Sequence, residues 1–586
     1  MRQRNPGAAA LWSPIEHAMR TARRNRAFDT TMPAIMIAAP RALIARLMQG
    51  SPLRHPRFRL FYLGSIGSAL GYTMQATIAA WLMATLTPSA LMVALVQTAS
   101  TAPTLAFGLF SGALADIVDR RRIIFVTQLM LLIATATLGL ASLFGVIAPT
   151  PLLLLTFVVG AGFTFYLPAQ QASINELVSR PELARAVALG AVAFNVARAI
   201  GPGLAGAIAA WLDTGYALIA SALSFTVMVT AVRRLKRRRT LPGIPETLLS
   251  GALSGIRYAR HSSAMRALVI RSLSFGICAS AFWALLPVIA RDQLGLGAGG
   301  FGLLSAGFGV GAVVGALSIP RQLQRRSLNA VVTSGAVLWS VAMLLVAVTG
   351  ITVFAVVGSF TAGIAWVSVF ASLSAATQST APGWVRARAL AMNLVSSQAS
   401  IALGSVCWGA FASLTSTQMA LAASAGLLAM LQIVHRNVRV ALGTEADVTP
   451  GVQIPDLVIA SEPLPDDGPV LIQIEYQVDA PNRKAFIRAI HAIAPTRRRN
   501  GATSWRVFRD LAQDGRYVER YIIASWAEYM RLRSRMTMAD RELQAKATKF
   551  QRADVPIRVS RFIGVDPHQI SAQAAHDKTM SEETHT

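Results

Sequence analysis

Charged residues are scarce in this sequence. Asp, Glu, Lys and Arg make up 14% of the 586 residues, and hydrophobic residues make up 53%. Ordinary soluble domains carry about 25% charged residues. The two cysteines, Cys278 and Cys407, lie inside apolar runs, which excludes a disulfide scaffold and a cysteine-based metal site. The composition therefore indicates a protein of the lipid bilayer.

Basic residues collect at the ends of the apolar runs. The formal net charge is +27, and only five of the 55 basic residues are Lys. No basic patch is interleaved with aromatic side chains, so the sequence predicts no nucleic-acid partner. The sequence also lacks a phosphate-binding loop of the G-x-x-x-x-G-K-S/T type, which argues against an ATP-driven pump.

Twelve long apolar segments predict an all-α polytopic membrane protein. Each segment is long enough to cross about 30 Å of hydrocarbon at about 1.5 Å of rise per residue. The predicted spans are 58–84, 90–113, 123–147, 151–173, 184–211, 214–232, 267–290, 300–319, 329–348, 352–376, 387–412 and 417–435.

The connections between these spans alternate in charge. Connections after odd-numbered spans carry no Lys or Arg apart from Arg291, whereas those after even-numbered spans are basic. The basic connections contain Arg120, Arg121, Arg122, Arg180, Arg185, Arg233, Arg234, Lys236, Arg237, Arg238, Arg239, Arg321, Arg325, Arg326, Arg386 and Arg388. By the positive-inside rule, these loops and both chain termini are predicted to be cytoplasmic.

The same pattern divides the chain into regions. A basic cytoplasmic N-terminus at 1–57 precedes a first six-helix half at 58–232. A basic cytoplasmic linker at 233–266 leads to a second six-helix half at 267–436. Two halves of six helices around a central cavity are the layout expected of a transporter.

One charged stretch, between the second and third spans, reads G-x-x-x-D-x-x-D-R-x-R. Its named positions are Gly112, Asp116, Asp119, Arg120 and Arg122. Gly112 is predicted to allow close packing at the helix end, because glycine has no side chain. A degenerate copy in the second half keeps Gly315 and Arg325 but has Ile319 at the Asp position.

The fifth span contains a Gly-Pro-Gly sequence in a stretch of small residues. Its named positions are Arg198, Gly201, Pro202 and Gly206. The proline is predicted to kink the helix, and the glycines to thin one face. Arg198 lies in the middle of the span, where a charge is costly and is a functional candidate by default. The alternative is a structural ion pair with an acid at a helix end, such as Glu176.

Both motifs resemble those of the major facilitator superfamily of transporters. In that superfamily the Asp corresponding to Asp116 caps a neighbouring helix and latches the two halves on the cytoplasmic side, and the fifth-helix motif is found in exporters. Three further segments match the transmembrane secretion effector branch, which is enterobactin-exporter-like. They are Gly71–Met83, Leu95–Pro103 and Tyr166–Ala186, and the resemblance covers about 52–565.

The resemblance implies a secondary-active efflux transporter in the cytoplasmic (inner) membrane of a bacterium. It would export a small organic molecule, a siderophore or a drug-like amphipathic compound, by alternating access. Proton antiport is also implied, but no carboxylate lies in the middle of a predicted span. Asp116 and Glu176, both near helix ends, are the best candidates for proton coupling.

Four polar and aromatic residues are the predicted substrate cavity: Gln75, Gln170, Trp283 and Trp366. They lie on the first, fourth, seventh and tenth spans. An uncharged cavity lined by aromatic rings suits a bulky amphipathic ligand. The alternative is that the two tryptophans only pack or anchor the helices.

A linker at 437–467 precedes a different kind of domain at 468–566, and a polar tail at 567–586 follows it. The domain's order of predicted elements, β-α-β-β-α-β, indicates a cytoplasmic ferredoxin-like α+β fold. It resembles the C-terminal extension of the same exporter branch, which is itself similar to small dimeric monooxygenases.

That second resemblance implies a homodimer, or regulation, through the C-terminal domain. The alternative is a membrane-anchored sensor, or a cofactorless monooxygenase-like enzyme, whose working part is this domain. The sequence contains no metal-ligand cluster, nucleotide loop or nucleophile–base pair, so no enzyme activity, cofactor or metal is predicted.

Overall fold

The computed structural model describes residues 51–234, 248–348, 350–449, 451, 459 and 463–565. The predictions for most of the N-terminal segment, for the centre of the linker between the halves and for the tail at 567–586 lie outside these residues.

Twelve long helices form two groups of six in the described residues. The first group is α1 (Pro56–Leu86), α2 (Ala90–Ile117), α3 (Arg120–Leu143), α4 (Pro149–Leu177), α5 (Leu183–Trp211) and α6 (Thr214–Arg234). A connecting helix, α7 (Leu248–His261), lies within the predicted linker. The second group is α8 (Ser263–Val288), α9 (Ala298–Arg325), α10 (Leu328–Val348), α11 (Thr352–Thr380), α12 (Arg386–Leu414) and α13 (Thr417–Val434).

Eleven of the twelve helices are long and apolar enough to cross a membrane. The remaining one, α1, is 31 residues long but is interrupted by Gly, Ser, Tyr and Gln residues. α8 continues into one π-helical turn at Ile289–Gln293. The predicted membrane bundle of two six-helix halves is confirmed.

Prolines and serines mark where several helices begin. Pro56 and Pro149 start α1 and α4, where the missing backbone N–H is not needed. Ser89, Ser262 and Ser416 cap α2, α8 and α13 by accepting a hydrogen bond from the backbone N–H three residues later. Short connections make successive helices within each half run antiparallel.

The bundle therefore has two ends. We call the end that carries Arg120, Arg234, Arg325 and Arg386 the basic end, and the other end the opposite end. Large apolar side chains fill the interior of each half, and others are exposed on its outside, such as Trp211 and Leu414. Hydrocarbon in place of water around the bundle accounts for that exposure.

The C-terminal domain combines four strands with four helices. They are β1 (Val470–Gln477), α14 (Arg483–His491), α15 (Ala494–Arg499), β2 (Ser504–Arg509), β3 (Arg516–Ile523), α16 (Trp526–Arg535), α17 (Met538–Thr548) and β4 (Arg558–Ile563). The sheet order is β2-β3-β1-β4, and all neighbouring strands are antiparallel. This arrangement confirms the predicted α+β fold.

Each predicted helix of this domain is a pair of helices instead of one. Pro495 lies in the first turn of α15 and separates it from α14. Thr537 and Asp540 form a capping box that starts α17 directly after α16. Homodimer formation through the domain stays a prediction.

A buried ion pair lies under the sheet of this domain. Glu519 on β3 is completely buried and binds three donors. They are Arg497 Nε at 3.0 Å, Trp505 Nε1 at 2.9 Å and the Tyr476 hydroxyl at 3.1 Å. Burial alone would lower the pKa of Arg497, but the neighbouring Tyr521 and Glu519 outweigh burial and hold that pKa above its ordinary value. Arg497 therefore stays charged in the core.

The C-terminal domain contacts the second half at the basic end. Arg257 of α7 lies 3.1 Å from Glu528 of α16, and Arg535 lies 2.7 Å from the same carboxylate oxygen. The Arg535 guanidinium also lies 4.5 Å from the ring centre of Trp384, which precedes α12. Trp384 in turn meets Tyr258 of α7 edge-on at 6.0 Å. These contacts attach the domain to α7 and the second half.

The Glu528 carboxylate is ionised at neutral pH. Burial alone would raise the pKa of Glu528, but Arg535, Arg531 and Arg257 outweigh burial and hold it below its ordinary value of 4.5. A carboxyl group with a lowered pKa contributes stability above its unfolded pKa and loses it as the pH falls further. The contact to Arg257 is therefore retained at neutral pH and is lost only as the pH falls below 4.5.

We expect Glu519→Gln to destabilise the C-terminal domain by about 3 kcal/mol, because it leaves the charge of Arg497 buried without a counter-charge. Amide hydrogen exchange in β3 of the full-length protein should become about 100-fold faster. Glu475→Gln is the matched control, since its partner Arg516 is partly exposed and such pairs contribute at most about 1 kcal/mol. Equal exchange rates in the two variants would contradict the role of the buried pair.

We expect Arg257→Ala to release the C-terminal domain from α7. Hydrogen exchange in α7 of the full-length protein should then rise by about 5- to 10-fold, since one charged hydrogen bond is lost. Arg260→Ala removes an exposed arginine from the same helix and should leave exchange unchanged. A similar rise in both variants would mean that the ion pair does not hold the domain in place.

Candidate functional site

The loop between α2 and α3 ties three helices of the first half together. Asp119 caps α3 by accepting a hydrogen bond from the backbone N–H of Arg121 at 3.0 Å. Arg120 reaches α4, where its Nη1 lies 2.5 Å from Glu176 Oε1. Its Nε also donates to the carbonyl oxygen of Ala115 on α2 at 3.1 Å. The charged stretch is thus a structural joint within one half.

Gly112 does not pack closely in this structure, which corrects the prediction. Among the described residues, a Cβ added at Gly112 would have no neighbouring heavy atom within 4 Å. At its second-half counterpart Gly315, a Cβ would lie 3.0 Å from the backbone of Ile364. Arg122 is exposed, and the side chain of Asp116 lies outside the described part of the chain. The space directly beside Gly112 is therefore open among the described residues.

At the opposite end, the two halves touch through α5 and α9. A Cβ added at Gly206 of α5 would lie 2.7 Å from the Cα of Gly302 on α9. A Cβ added at Gly302 would lie 2.9 Å from the carbonyl oxygen of Pro202, which is inside α5 as predicted. Because neither glycine has a side chain, the two backbones approach closely.

Other contacts close the opposite end as well. The backbone N–H of Leu91 on α2 donates to Ser413 Oγ on α12 at 3.1 Å. Arg291 donates to the carbonyl oxygen of Thr87 at 3.1 Å, which joins the loop after α1 to the end of α8. The bundle is therefore closed at the end away from the basic loops.

Arg198 lies midway along α5, between the contacts of α5 with α1 and with α9. On the α1 side, Thr73 Oγ1 donates to the carbonyl oxygen of Ala197 at 3.1 Å. A Cβ added at Gly201 would lie 2.2 Å from the same Thr73 Oγ1, so the glycine permits this approach. On the α9 side, Gly309 packs against the carbonyl oxygen of Arg198. The backbone of α5 around Arg198 therefore contacts α1 of the first half and α9 of the second half.

Aromatic side chains of the first half surround Arg198. Its Cζ lies 5.1 Å from the ring centre of Phe194. Phe194 is 6.4 Å from Phe163, which stacks on Tyr72 at 3.9 Å, and Tyr72 is close enough to Arg198 for an electrostatic interaction. The alternative of an Arg198–Glu176 ion pair is not formed, because Glu176 binds the loop after α2.

The predicted cavity residues Trp283 and Trp366 lie together in the second half. Their ring centres are 5.9 Å apart in an edge-to-face arrangement. Phe308 of α9 lies 4.3 Å from Trp283, and Phe370 lies 4.3 Å from Trp366. Both tryptophans are partly buried, whereas the neighbouring Trp339 is completely buried. The two rings thus pack and also keep an accessible edge.

Gln75 and Gln170 do not join this group. Gln75 is 1% exposed, and both atoms of its amide lack a hydrogen-bond partner among the described residues. Gln170 is 8% exposed and donates to Ser65 Oγ at 3.2 Å. Both side chains are buried, and no described contact joins either of them to the two tryptophans, so a cavity formed by all four residues stays a prediction.

Sequence reasoning missed the aromatic surroundings of Arg198. Tyr72, Phe163 and Phe194 lie on three different helices, and no spacing in the sequence links them. It also missed the contact at Gly302. A signal existed for that residue, because Gly299, Gly300 and Gly302 start α9 with a run of small residues typical of close helix contacts.

A family profile matches the chain over residues 48–569, and its description is transmembrane secretion effector. The matched range includes both halves of the bundle and the C-terminal domain.

Two curated proteins are similar in sequence. The multidrug efflux pump Tap of Mycolicibacterium fortuitum is 27% identical over 303 residues, which are 49% of this chain and 72% of Tap. The staphyloferrin A transporter of Staphylococcus aureus is 24% identical over 247 residues, which are 42% of this chain and 62% of that transporter.

Solved transporters share the fold of the bundle. The nucleoside transporter NupG has a TM-score of 0.53 at 15% identity and is covered over 98% of its length by 65% of this chain. A bacterial homologue of the human lysosomal transporter Spinster, inward-facing and occupied, has a TM-score of 0.54 at 14% identity. The alignment covers 97% of that homologue and 66% of this chain.

The extent of the profile match decides the identity, because it includes the two motifs, both six-helix halves and the added domain. The chain is a multi-pass membrane transporter and belongs to the transmembrane secretion effector family of the major facilitator superfamily.

Proposed function

We propose that the chain is a secondary-active exporter that moves a small organic molecule across the membrane by alternating access of its two halves. The observation that carries this proposal is the closed contact of Gly206 with Gly302 at one end together with the open space beside Gly112 at the other. The positive-inside rule assigns the basic end and both termini to the cytoplasm of a bacterial inner membrane. The described conformation is then inward-facing.

The two curated relatives support export of a drug or siderophore. One is named as a multidrug efflux pump and the other as a staphyloferrin A transporter. The fifth-helix motif points the same way, because the close contact of α5 with α9 seals the end opposite the cytoplasm while substrate enters.

Closure of the basic end would extend a contact that already exists. Gly108 of α2 packs against Val395 of α12, since a Cβ there would lie 3.0 Å from that side chain. Gly112 is one helical turn further along α2. When α12 swings towards α2, the contact gains this next turn, and the missing side chain of Gly112 lets the backbones meet. The charged loop held by Arg120 and Glu176 would then latch the two halves.

Proton antiport would use an acid at the basic end. Glu176 lies 2.5 Å from Arg120 of the charged loop, so it is at the end that opens and closes in the proposed cycle. We therefore assign the coupling to Glu176 near the end of α4, with Asp116 near the end of α2 as the second candidate.

We assign no catalytic step to the C-terminal domain. Its buried acid, Glu519, is held by three donors and lies away from solvent. Its docking through Arg257 and Trp384 favours a regulatory role, because the domain contacts the half that must move.

We expect Asp116→Asn to leave membrane insertion intact and to lower export of a fluorescent drug at least about 10-fold, because the latched conformation loses its charge interaction. Distances between pairs of spin labels should show that the basic end no longer closes. The labels are placed at Arg59→Cys with Arg326→Cys at the basic end, and at Phe144→Cys with Val348→Cys at the opposite end, where all four residues are exposed. The two native cysteines are replaced by Ser.

The wild type should show two distances at each end, and Asp116→Asn should keep mainly the longer one at the basic end. Asp213→Asn changes an exposed cap at the opposite end and serves as the matched control. One fixed distance at both ends of the wild type would refute alternating access.

We expect Glu176→Gln to reduce proton counterflow at least about 10-fold in proteoliposomes supplied with a dye that the wild type exports, since an amide does not ionise and cannot take up and release a proton. The pH change inside the vesicles is the measurement, and Asp213→Asn is again the control. No counterflow in the wild type would reject proton coupling while leaving the export proposal in place.

A further inference from the structure

We propose that Arg198 binds the negative charge of the transported molecule, so that the substrate is an amphipathic organic anion. This inference rests on the proposed export function and adds the chemical class of its substrate.

Arg198, which is partly buried, contrasts with Arg271, which is the one fully buried arginine among the described residues of the bundle. Arg271 near the start of α8 is 3% exposed and donates to four oxygen acceptors. These acceptors are Gln432 Oε1 at 2.7 Å, the His435 carbonyl at 3.1 Å, the Val438 carbonyl at 3.2 Å and Asn329 Oδ1 at 3.4 Å. Arg271 is therefore a structural residue whose charge the protein itself accommodates.

Within the described residues, no oxygen acceptor is assigned to the Arg198 guanidinium. Its contacts there are the ring of Phe194 and the nearby Tyr72. The acids of the bundle all lie near helix ends or in loops, whereas Arg198 is at the middle of α5. An isolated charge at this depth is costly, and an anionic ligand is the partner that would offset the cost. A guanidinium offers two parallel donors to a carboxylate or similar group.

The position of Arg198 suits a ligand that spans both halves. Val196 and Ile200 point outwards and are 41% and 56% exposed, so Arg198, between them in sequence, lies on the other side of α5. Its carbonyl oxygen contacts Gly309 of α9, and the preceding residue, Phe308, packs on Trp283. An anion at Arg198 therefore lies one helix away from the aromatic group of the second half.

The aromatic rings define the rest of the ligand. Trp283 and Trp366 are partly buried and meet edge-to-face, and Tyr72 stacks with Phe163 on the first half. Aromatic and apolar groups bind well between such rings. The ligand class is thus a molecule with an aromatic or apolar body and a carboxylate-like charge, rather than an inorganic anion.

Binding of a matched pair of probes tests this assignment. The full-length protein in lipid nanodiscs is titrated calorimetrically with 2-naphthoate and with the uncharged 2-naphthamide, and empty nanodiscs provide the blank. The wild type should bind 2-naphthoate at least about 10-fold more tightly, because only that probe forms charge-assisted hydrogen bonds. Inorganic phosphate is the third probe and should bind more weakly than 2-naphthoate.

In Arg198→Gln, binding of 2-naphthoate should weaken at least about 10-fold while binding of 2-naphthamide is unchanged, which also shows that the variant is folded. Arg198→Lys should keep part of the preference, since an ammonium group carries the charge without the planar fork. Arg260→Ala, outside the bundle, should behave as the wild type.

Equal affinities for the two naphthalene probes in the wild type, or equal weakening of both in Arg198→Gln, would overturn the proposal. Phosphate binding as tight as that of 2-naphthoate would overturn the amphipathic part of it. Export is measured separately in proteoliposomes. A preference for 2-naphthoate without export would contradict the proposed function and support the anion site. Export without the preference would support the proposed function and contradict the anion site.

Discussion

An arginine inside a bilayer needs acceptors from the protein or from a ligand, because hydrocarbon does not solvate charge. The positions of charged and small residues in the rest of the bundle follow from this constraint. Acids and basic loops lie near the helix ends, the guanidinium of Arg271 is surrounded by oxygens, and small residues let apolar helices pack where there is no drive from water. Arg198 departs from the pattern, and the departure lies where the two halves face each other.

The sequence was sufficient to predict the helices but insufficient to predict which of them contact one another. Apolar length and alternating loop charge predict twelve helices, because those properties are local to each segment. The open space at Gly112, the pairing of Glu176 with Arg120 and the burial of Gln75 depend on which helices are neighbours and on the conformation. The strand pattern likewise predicts the C-terminal sheet, whereas the burial of Glu519 becomes visible only in three dimensions.

The contact between α5 and α9 joins the two halves both at the closed end and beside Arg198. Gly206 and Gly302 hold the two helices together at the closed end, and Gly309 holds them together beside Arg198. Any ligand that draws Arg198 and the aromatic group of the second half together therefore acts on the same contact that seals the opposite end. In the proposed alternating-access cycle, substrate occupancy and the motion of the halves would be coupled through this backbone contact, without a long chain of side chains between them.

Because α7 is docked on the second half, the chain segment that is free to connect the two halves is shorter than the whole linker. Tyr258 of α7 donates to the carbonyl oxygen of Thr380 at 3.3 Å, so α7 travels with that half. Fourteen residue steps, from Arg234 to Leu248, then connect the first half to α7 and the second half. A fully extended chain reaches at most about 3.6 Å per step, which sets an upper limit of about 50 Å on that separation. Undocking of α7 would lengthen this connection by the length of the helix, so in the proposed cycle the α7 contact would set the upper limit on the separation of the halves.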